Sequence, residues 1–434
     1  MDFNTMKELW NLENDVAEYG QNMYNALQPQ FEGIDKIRGK NQLKVIKSLQ
    51  KHNLSEQHFS GTTGYGYGDL GRELLNKVMA DIMGAEDSLV SVYWVSGTHA
   101  ISDALKALLE HGDALLSVTG TPYDTLNKVI KNFKDINYRE VSVVLTQGID
   151  FYMSRGLPSG LSDEEFNALY LEEMKVELVR FNPKVVFIQK SKGYAWRKTL
   201  TNSDIEVIIK AIKEISPKSI VVVDNCYGEF VEENEPCEVG ADLVVGSLIK
   251  NPGGGLAPTG GYVAGKEDLV EKVAEELTAP GLDRDMGATL NTNRSVIQGL
   301  YIAPHTVGEA LKGAVFNAII YKRLHYNVLP QPEDKRGDII QATDLGSRKR
   351  LINYVKGVQQ AGAVDSNVKP VPEEMPGYEC KIIMAAGAFI QGSSLEVSAD
   401  APIRQPYIVY FQGGLSLTHS ILGTMLSFQM IRKQ

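Results

Sequence analysis

Two segments of this sequence attach an acid and an amine to the ends of strongly apolar runs. In IVVVDNCYGEF (220–230) four β-branched residues lead to Asp224. In DLVVGSLIKNPGGG (242–255) a second run ends in Ser247 and Lys250, ahead of Gly253, Gly254 and Gly255. A carboxylate at the end of a buried strand is costly unless something cationic meets it. A lysine held in such a place can bring its amine to a bound ligand and, once deprotonated, condense with an aldehyde. Two further segments supply what a phosphorylated, flat ligand would need. VSGTHAISDAL (95–105) sets Ser-Gly-Thr at the start of a helix, where free backbone N–H groups and the helix dipole attract an anion. In TGTPYDTL (119–126), Tyr123 follows another apolar run and can lay its ring on a planar group.

Taken singly, each signal has an ordinary reading. A strand-end Asp caps turns, a lysine before glycines sits on surfaces, small residues cap helices everywhere, and a lone tyrosine packs half-buried. The order is what changes the reading: anion turn, aromatic ring, Asp, then Ser-x-x-Lys, each at the end of an expected strand. Together they describe a site for pyridoxal phosphate (PLP), with Lys250 as the Schiff-base lysine and Asp224 paired with the ring nitrogen.

The elements that must position these residues can be read from hydrophobic patterning. LVSVYWV (89–95), ALLSV (114–118), VVFIQ (185–189), IVVV (220–223), LVVG (243–246) and GYVAG (261–265) are continuous apolar runs rather than alternating ones. That is the pattern of strands buried on both faces, as in a mainly parallel sheet covered by helices. Residues 99–111, 123–133 and 203–215 are expected crossover helices. Leu74, Leu75, Val78, Met79, Ile82 and Met83 recur at helical spacing, and Gly84 closes that helix. From about 310 the chain reads as α+β, with helices in AVFNAIIYKRL, SRKRLINYVKGVQQAG and SILGTMLSFQMI and strands near KIIMAAGAFI, LEVSA and PYIVYF. The expected organisation is a helical segment, 1–60, packing on the small domain; a large α/β domain, 61–310; and a small α+β domain, 311–434.

Several blocks resemble fold-type-I PLP-dependent enzymes of the Cys/Met metabolism group, and in particular the branch of methionine gamma-lyase-like or aluminium-resistance proteins. They are FSGTTGYGYGDLGRELL, VSGTHAISDAL, TGTPYDTL, FIQKSKGYAWR, VVVDNCYGEF, GSLIKNPGGGLAPTGGYVAG, QGLYIAPHTVGEALKGA and GSSLEVSADAPIRQPY, spanning about 59–407. The resemblance implies an α/β fold-type-I transferase-like architecture, with a mainly parallel seven-stranded sheet between helices and a smaller α+β domain. It implies that Gly97, Thr98 and Ser247 hold the phosphate, and that Tyr123 stacks on the ring and can protonate a leaving group. It also implies that Arg404 takes the substrate carboxylate, since a guanidinium matches it with paired hydrogen bonds. The chemistry implied is carbon–sulfur elimination from an amino acid, of methionine gamma-lyase or cystathionine beta-lyase type, in a homodimer or homotetramer with shared active sites.

The sequence departs from the better-known lyases of that group in two places. Their Tyr-x-Arg segment, which reaches a neighbouring subunit's cofactor, is matched here by GYGYGDLGR, with no arginine at that spacing. Tyr65 or Tyr67 is left to contribute, and Arg72 lies a turn into the helix. Their Ser-x-Thr-Lys becomes Ser247-Leu-Ile-Lys250, one hydroxyl fewer. Gln189, Lys192 and Tyr194 of FIQKSKGYAWR are in range of the pocket, although Lys192 reads more simply as a loop charge.

Composition narrows the alternatives. In 434 residues, 43% are hydrophobic, 23% are charged and the formal charge is −10, which argues against nucleic-acid or anionic-membrane partners. No run reaches the roughly 20 apolar residues of a membrane span. MDFNTMKELWNLENDVAEY is amphipathic and acidic rather than a secretory leader, so a cytoplasmic location is expected. Cys226, Cys237 and Cys380 are too scattered for a disulfide framework or a zinc site, and no metal-ligand cluster suggests direct aluminium binding. A dinucleotide site at GTTGYGYGDLG is disfavoured, because no strand precedes the glycines and no acid follows at the required spacing. Transamination, γ-replacement and a non-catalytic stress-response role stay open.

Overall fold

The structure is a computed structural model, and it describes residues 1–133, 135–141, 163–279 and 281–432. Three helices open the chain, α1 (Phe3–Trp10), α2 (Asn14–Ala26) and α3 (Gln28–Lys51). The strands of the large sheet are β1 (Asp87–Ser91), β2 (Ala114–Ser117), β3 (Asn137–Glu140), β4 (Val185–Gln189), β5 (Ile220–Asp224), β6 (Leu243–Ser247) and β7 (Gly261–Gly265). Their order is β1-β7-β6-β5-β4-β2-β3, and β7 alone runs against its neighbours. The expected mainly parallel, seven-stranded sheet is therefore present.

The continuous apolarity of the central strands has a direct cause. Val186, Ile188, Val221, Val223 and Val244 face one helical layer, formed by α4 (Leu70–Met83), α7 (Asp163–Phe181), α8 (Asn202–Ile215) and α10 (Asn293–Arg323). Val185, Phe187, Val222, Leu243 and Val245 face the other, formed by α5 (Gly97–Leu108), α6 (Asp124–Lys131) and α9 (Glu267–Glu276). Successive residues alternate between two dry cores, so no position can be polar until the strand ends.

Two strand readings shift. The run 89–95 begins at Asp87 and leaves the sheet after Ser91, its last partner being Gly261. Beyond it Trp94 is fully buried among the α5 side chains, and its indole N–H donates to Asp103 Oδ2 at 3.0 Å. The edge strand β3 is largely exposed, so NYRE carries no apolar signature. Helix ends follow capping chemistry. Ser96 Oγ accepts the His99 N–H at 3.2 Å and starts α5 before the expected residue 99, while Gly84 closes α4 in the left-handed conformation with φ 64°.

A second sheet, all antiparallel, has the order β10-β11-β12-β9-β8. Its strands are β8 (Asn327–Leu329), β9 (Gln341–Asp344), β10 (Ile382–Ala385), β11 (Ser398–Pro402) and β12 (Ile408–Gln412). Helices α11 (Arg348–Ala361) and α12 (Leu417–Arg432) pack against it. The strand expected at LEVSA starts only at Ser398, because Glu396 turns its carboxylate to the Phe389 and Ile390 N–H groups at 2.8 and 2.9 Å. Phe3, Met6, Val16 and Phe31 of α1–α3 join this second core, whereas Val45 and Leu49 of α3 join the large one. Helix α10 likewise serves both, with Val296 to Leu311 in the large core and Val315 to Tyr321 in the small.

This long helix also fixes the lysine loop. After β6 the chain makes a tight turn over Asn251–Gly253, and Gly254 follows at φ 58°. A Cβ on Gly254 would strike the Gly299 carbonyl oxygen of α10 and lie 2.6 Å from Ile302 Cγ2. Gly254→Ala is expected to destabilise the protein by about 2–4 kcal/mol, combining left-handed backbone strain with overpacking. Urea unfolding checks this, and an unchanged midpoint would refute the close approach.

Candidate active site

The strand ends bring the chemistry-bearing residues together. In the parallel register Gln189 at the end of β4 lies beside Asp224 at the end of β5, which lies beside Val245 of β6, two residues before Ser247. The loops that follow converge on a cavity of about 260 Å³ whose walls include Gly97, Thr98, Tyr123, Asp224, Ser247 and Lys250. Six of the eight site residues expected from sequence thus share one wall system.

Lys250 is half-buried, and its Nζ sits 3.7 Å from the centre of the Tyr227 ring, a cation–π contact. Tyr227 itself holds φ 73°, a left-handed turn that swings its ring under the amine. Neighbouring bonds fix this turn. Asn225 donates from Nδ2 to Glu235 Oε2 at 2.9 Å, and Asn251 Nδ2 donates to the Glu229 carbonyl at 2.9 Å. Burial works against the Lys250 charge, but the facing Tyr227, Cys226 and Asp224 outweigh it and hold the ammonium above its ordinary range.

Asp224 is buried and accepts the Cys226 backbone N–H at 3.1 Å. Burial pushes its carboxyl up to about 6, opposed by the Cys226 hydrogen bonds and by Lys250 and Arg197. No ion pair to Asp224 forms among the described residues, so a cationic ligand group would find an unmatched carboxylate there.

Opposite lies the anion cradle. Gly97 and Thr98 open α5, behind Ser96 as its cap. A Cβ on Gly97 would stand 2.8 Å from Cys226 Sγ and 3.2 Å from Ser247 Cβ, so only glycine lets these segments meet. The Ser247 hydroxyl is buried without a hydrogen-bond partner, an orphan aimed at whatever fills this place. The Tyr123 hydroxyl shares a 2.8 Å hydrogen bond with Thr98 Oγ1, and its backbone N–H donates to Gln189 Oε1 at 2.9 Å. Burial holds the Tyr123 phenol well above its usual value, so it stays protonated. An orphan hydroxyl, a helix start, an unpaired carboxylate and an amine fit a phosphorylated aldehyde with a basic ring nitrogen, which is PLP.

Two expected residues stand elsewhere. Arg404 is exposed and lines an adjoining open cleft of about 950 Å³, which shares Tyr123, Gln189 and Tyr194 with the cavity. Its Nη2 reaches the Tyr194 carbonyl at 3.5 Å. Tyr65 is 70% exposed on its own chain and does not line the cavity; its carbonyl accepts the Gly287 N–H at 2.8 Å. Lys192 corrects a sequence reading. It is fully buried, 3.7 Å from Asp338 Oδ1, with burial drawing its ammonium down to about 8. The small-domain segment before β9 covers it, which no local pattern announces.

The cavity also has a wall that sequence reasoning missed. Tyr378, Asp400, Tyr410 and Gln412 come from the small domain and face Lys250 across the gap. Tyr194 packs on two of them, with ring centres 5.6 Å from Tyr378 and 5.2 Å from Tyr410. The one available signal was an acid inside the otherwise uncharged strand SADAP, paired with Tyr410.

Comparisons with known proteins agree with this geometry. Residues 16–431 match the family model described as methionine gamma-lyase. A Clostridium acetobutylicum protein proposed to be a cystathionine beta-lyase involved in aluminium resistance is 43% identical, with a TM-score of 0.89 over 98% of each chain. A carbon–sulfur lyase involved in aluminium resistance from Clostridium novyi NT is 41% identical, with a TM-score of 0.88 over 98% of each chain. YnbB of Bacillus subtilis, an uncharacterised protein, is 44% identical over 397 residues, 89% of either chain. The architecture is the fold-type-I one of PLP-dependent enzymes.

The cradle is directly testable. Gly97→Ala is expected to weaken PLP binding about tenfold or more, the effect of 1–3 kcal/mol of overpacking. Titrating the visible absorbance of the apoprotein with cofactor measures it, and unaltered affinity would remove Gly97 from the phosphate site.

Proposed function

This chain belongs to the methionine gamma-lyase family, whose cofactor is pyridoxal phosphate, and from that premise we propose that it cleaves a carbon–sulfur bond of a sulfur-containing amino acid. The observation that carries the proposal is the meeting of Lys250, Asp224 and the orphan Ser247 hydroxyl around one cavity. The finer assignment is elimination of methionine gamma-lyase or cystathionine beta-lyase type.

When bound, PLP supplies an aldehyde that captures amines and a ring that accepts the electron pair left at Cα. The protein's part follows from its side chains. Lys250 would hold the aldehyde carbon, and its amine, once freed, is placed to take the Cα proton. Asp224 would keep the ring nitrogen protonated. Gly97, Thr98 and Ser247 would hold the phosphate with backbone N–H groups and one hydroxyl. Tyr123 would lie against the ring, its phenol retaining a proton that a departing sulfur can use. Arg404 would receive a carboxylate at the mouth between cavity and cleft. Tyr65, turned outward on its own chain, would complete the phosphate site of a second copy, in a homodimer or a tetramer of dimers.

Purified protein loaded with PLP should release a thiol and a keto acid from a sulfur amino acid. Borohydride should bleach the visible band and fix the cofactor's mass on the Lys250 peptide. Lys250→Ala should lose at least about a thousandfold in turnover, roughly 4 kcal/mol of barrier. A loaded enzyme that yields only transamination or replacement products, or none, would overturn the elimination reading while leaving the cofactor site standing.

A further inference from the structure

An amino acid arrives with its nitrogen protonated, yet only the neutral amine has the electron pair needed to attack an aldehyde. That proton must leave before chemistry starts, and a base beside Lys250 would speed its departure. The small-domain wall offers one. Asp400 of β11 is half-buried at the cavity surface, where its Oδ2 accepts from Gln412 Nε2 at 3.4 Å. The titratable groups facing it are Lys250 from the loop after β6, Tyr227 after β5, Tyr194 after β4, Tyr378 before β10 and its cross-strand partner Tyr410 of β12. Among the described residues, no arginine and no second lysine line this cavity. With Lys250 committed to the cofactor, Asp400 is left without a protein cation to neutralise it. A carboxylate so placed attracts an incoming ammonium.

We propose that Asp400 is a catalytic residue that draws in the substrate's α-ammonium and takes its proton. The step balances without a co-reactant: an N–H bond breaks, the nitrogen keeps the electron pair, and an O–H bond forms on Asp400. Loss of that proton to water resets the carboxylate. Burial raises the carboxyl to about 6 even with Lys250 and the Tyr194 hydrogen bond opposing it, which brings it into the range of a general base near neutral pH. This inference rests on the PLP reading of the site.

The test uses holoenzyme and two probes: α-methyl-L-methionine, which has an amine but no Cα proton, and 4-(methylthio)butanoate, which lacks the amine. At pH 7, Asp400→Asn should slow the absorbance change caused by the amine probe about tenfold or more, and Asp400→Glu should largely restore it. Affinity for the amine-free acid should be unchanged. The deficit should shrink above the probe ammonium's own pKa, because the amine then arrives neutral, a rescue that a purely structural role would not show. In the wild-type enzyme the same rate should fall on acidification, as the raised Asp400 carboxyl takes up a proton. A variant deficit equal at both pH values, or no deficit, would overturn the role of Asp400 alone. If the variant does not load cofactor, absence of the wild-type acid limb overturns it. Failure of the wild-type protein to bind PLP would overturn the site reading first.

Discussion

At the end of β5 the Asp224 carboxylate is held inside the protein with a backbone N–H as its hydrogen-bond donor and no cation in direct contact among the described residues. Such a group is expensive, and its raised protonation range expresses that cost. The surrounding architecture exists in relation to it. Three parallel strands bury both faces, so polar chemistry is driven to their C-terminal ends, and those ends line up in register. A ligand with a cationic ring nitrogen would offset that cost.

The lysine opposite is positioned by a chain of small constraints rather than by one strong bond. Gly246 has no side chain because a Cβ there would collide with the Tyr262 ring and stand 2.6 Å from Glu229 Oε1. Tyr262 in turn donates its hydroxyl to Glu229 Oε1 at 2.9 Å, and burial lifts that glutamic acid to about 8, so the pair holds no net buried charge near neutral pH, although Glu229 Oε2 is buried without a partner. Behind it Gly253 and Gly254 press the lysine loop onto α10. The loop is therefore rigid where the amine must be precise.

Closure comes from the other domain. Asp338 gathers Ser191 at 2.8 Å, Thr199 at 2.6 Å and the buried Lys192, binding the loop after β4 to the small sheet. Helix α10 runs through both cores, and α1–α3 divide their apolar residues between them. These ties set the small-domain strands β11 and β12 over the lysine, so that one wall of the pocket is built from residues more than a hundred positions away.

The sequence by itself determined the central strands of the large sheet and the order of the residues that line the cavity. Both are local: a strand buried on two faces must be apolar throughout, and its first polar residue marks the rim where ligands sit. Asp224, Ser247, Lys250, Gly97, Thr98 and Tyr123 were legible for that reason. The exposed strand β3 was not, since an edge needs no apolar pattern. Only the tertiary structure decided that Lys192 is buried, that Arg404 stands in the neighbouring cleft, that Tyr65 turns outward, and that Asp400 faces the lysine. The burial of Lys192 and the placing of Arg404 and Asp400 depend on how two sheets pack across a gap, and Tyr65 is set by the distant segment around Gly287. Side-chain burial and charge environment at such a contact are fixed by distant segments, which no spacing rule along one strand encodes.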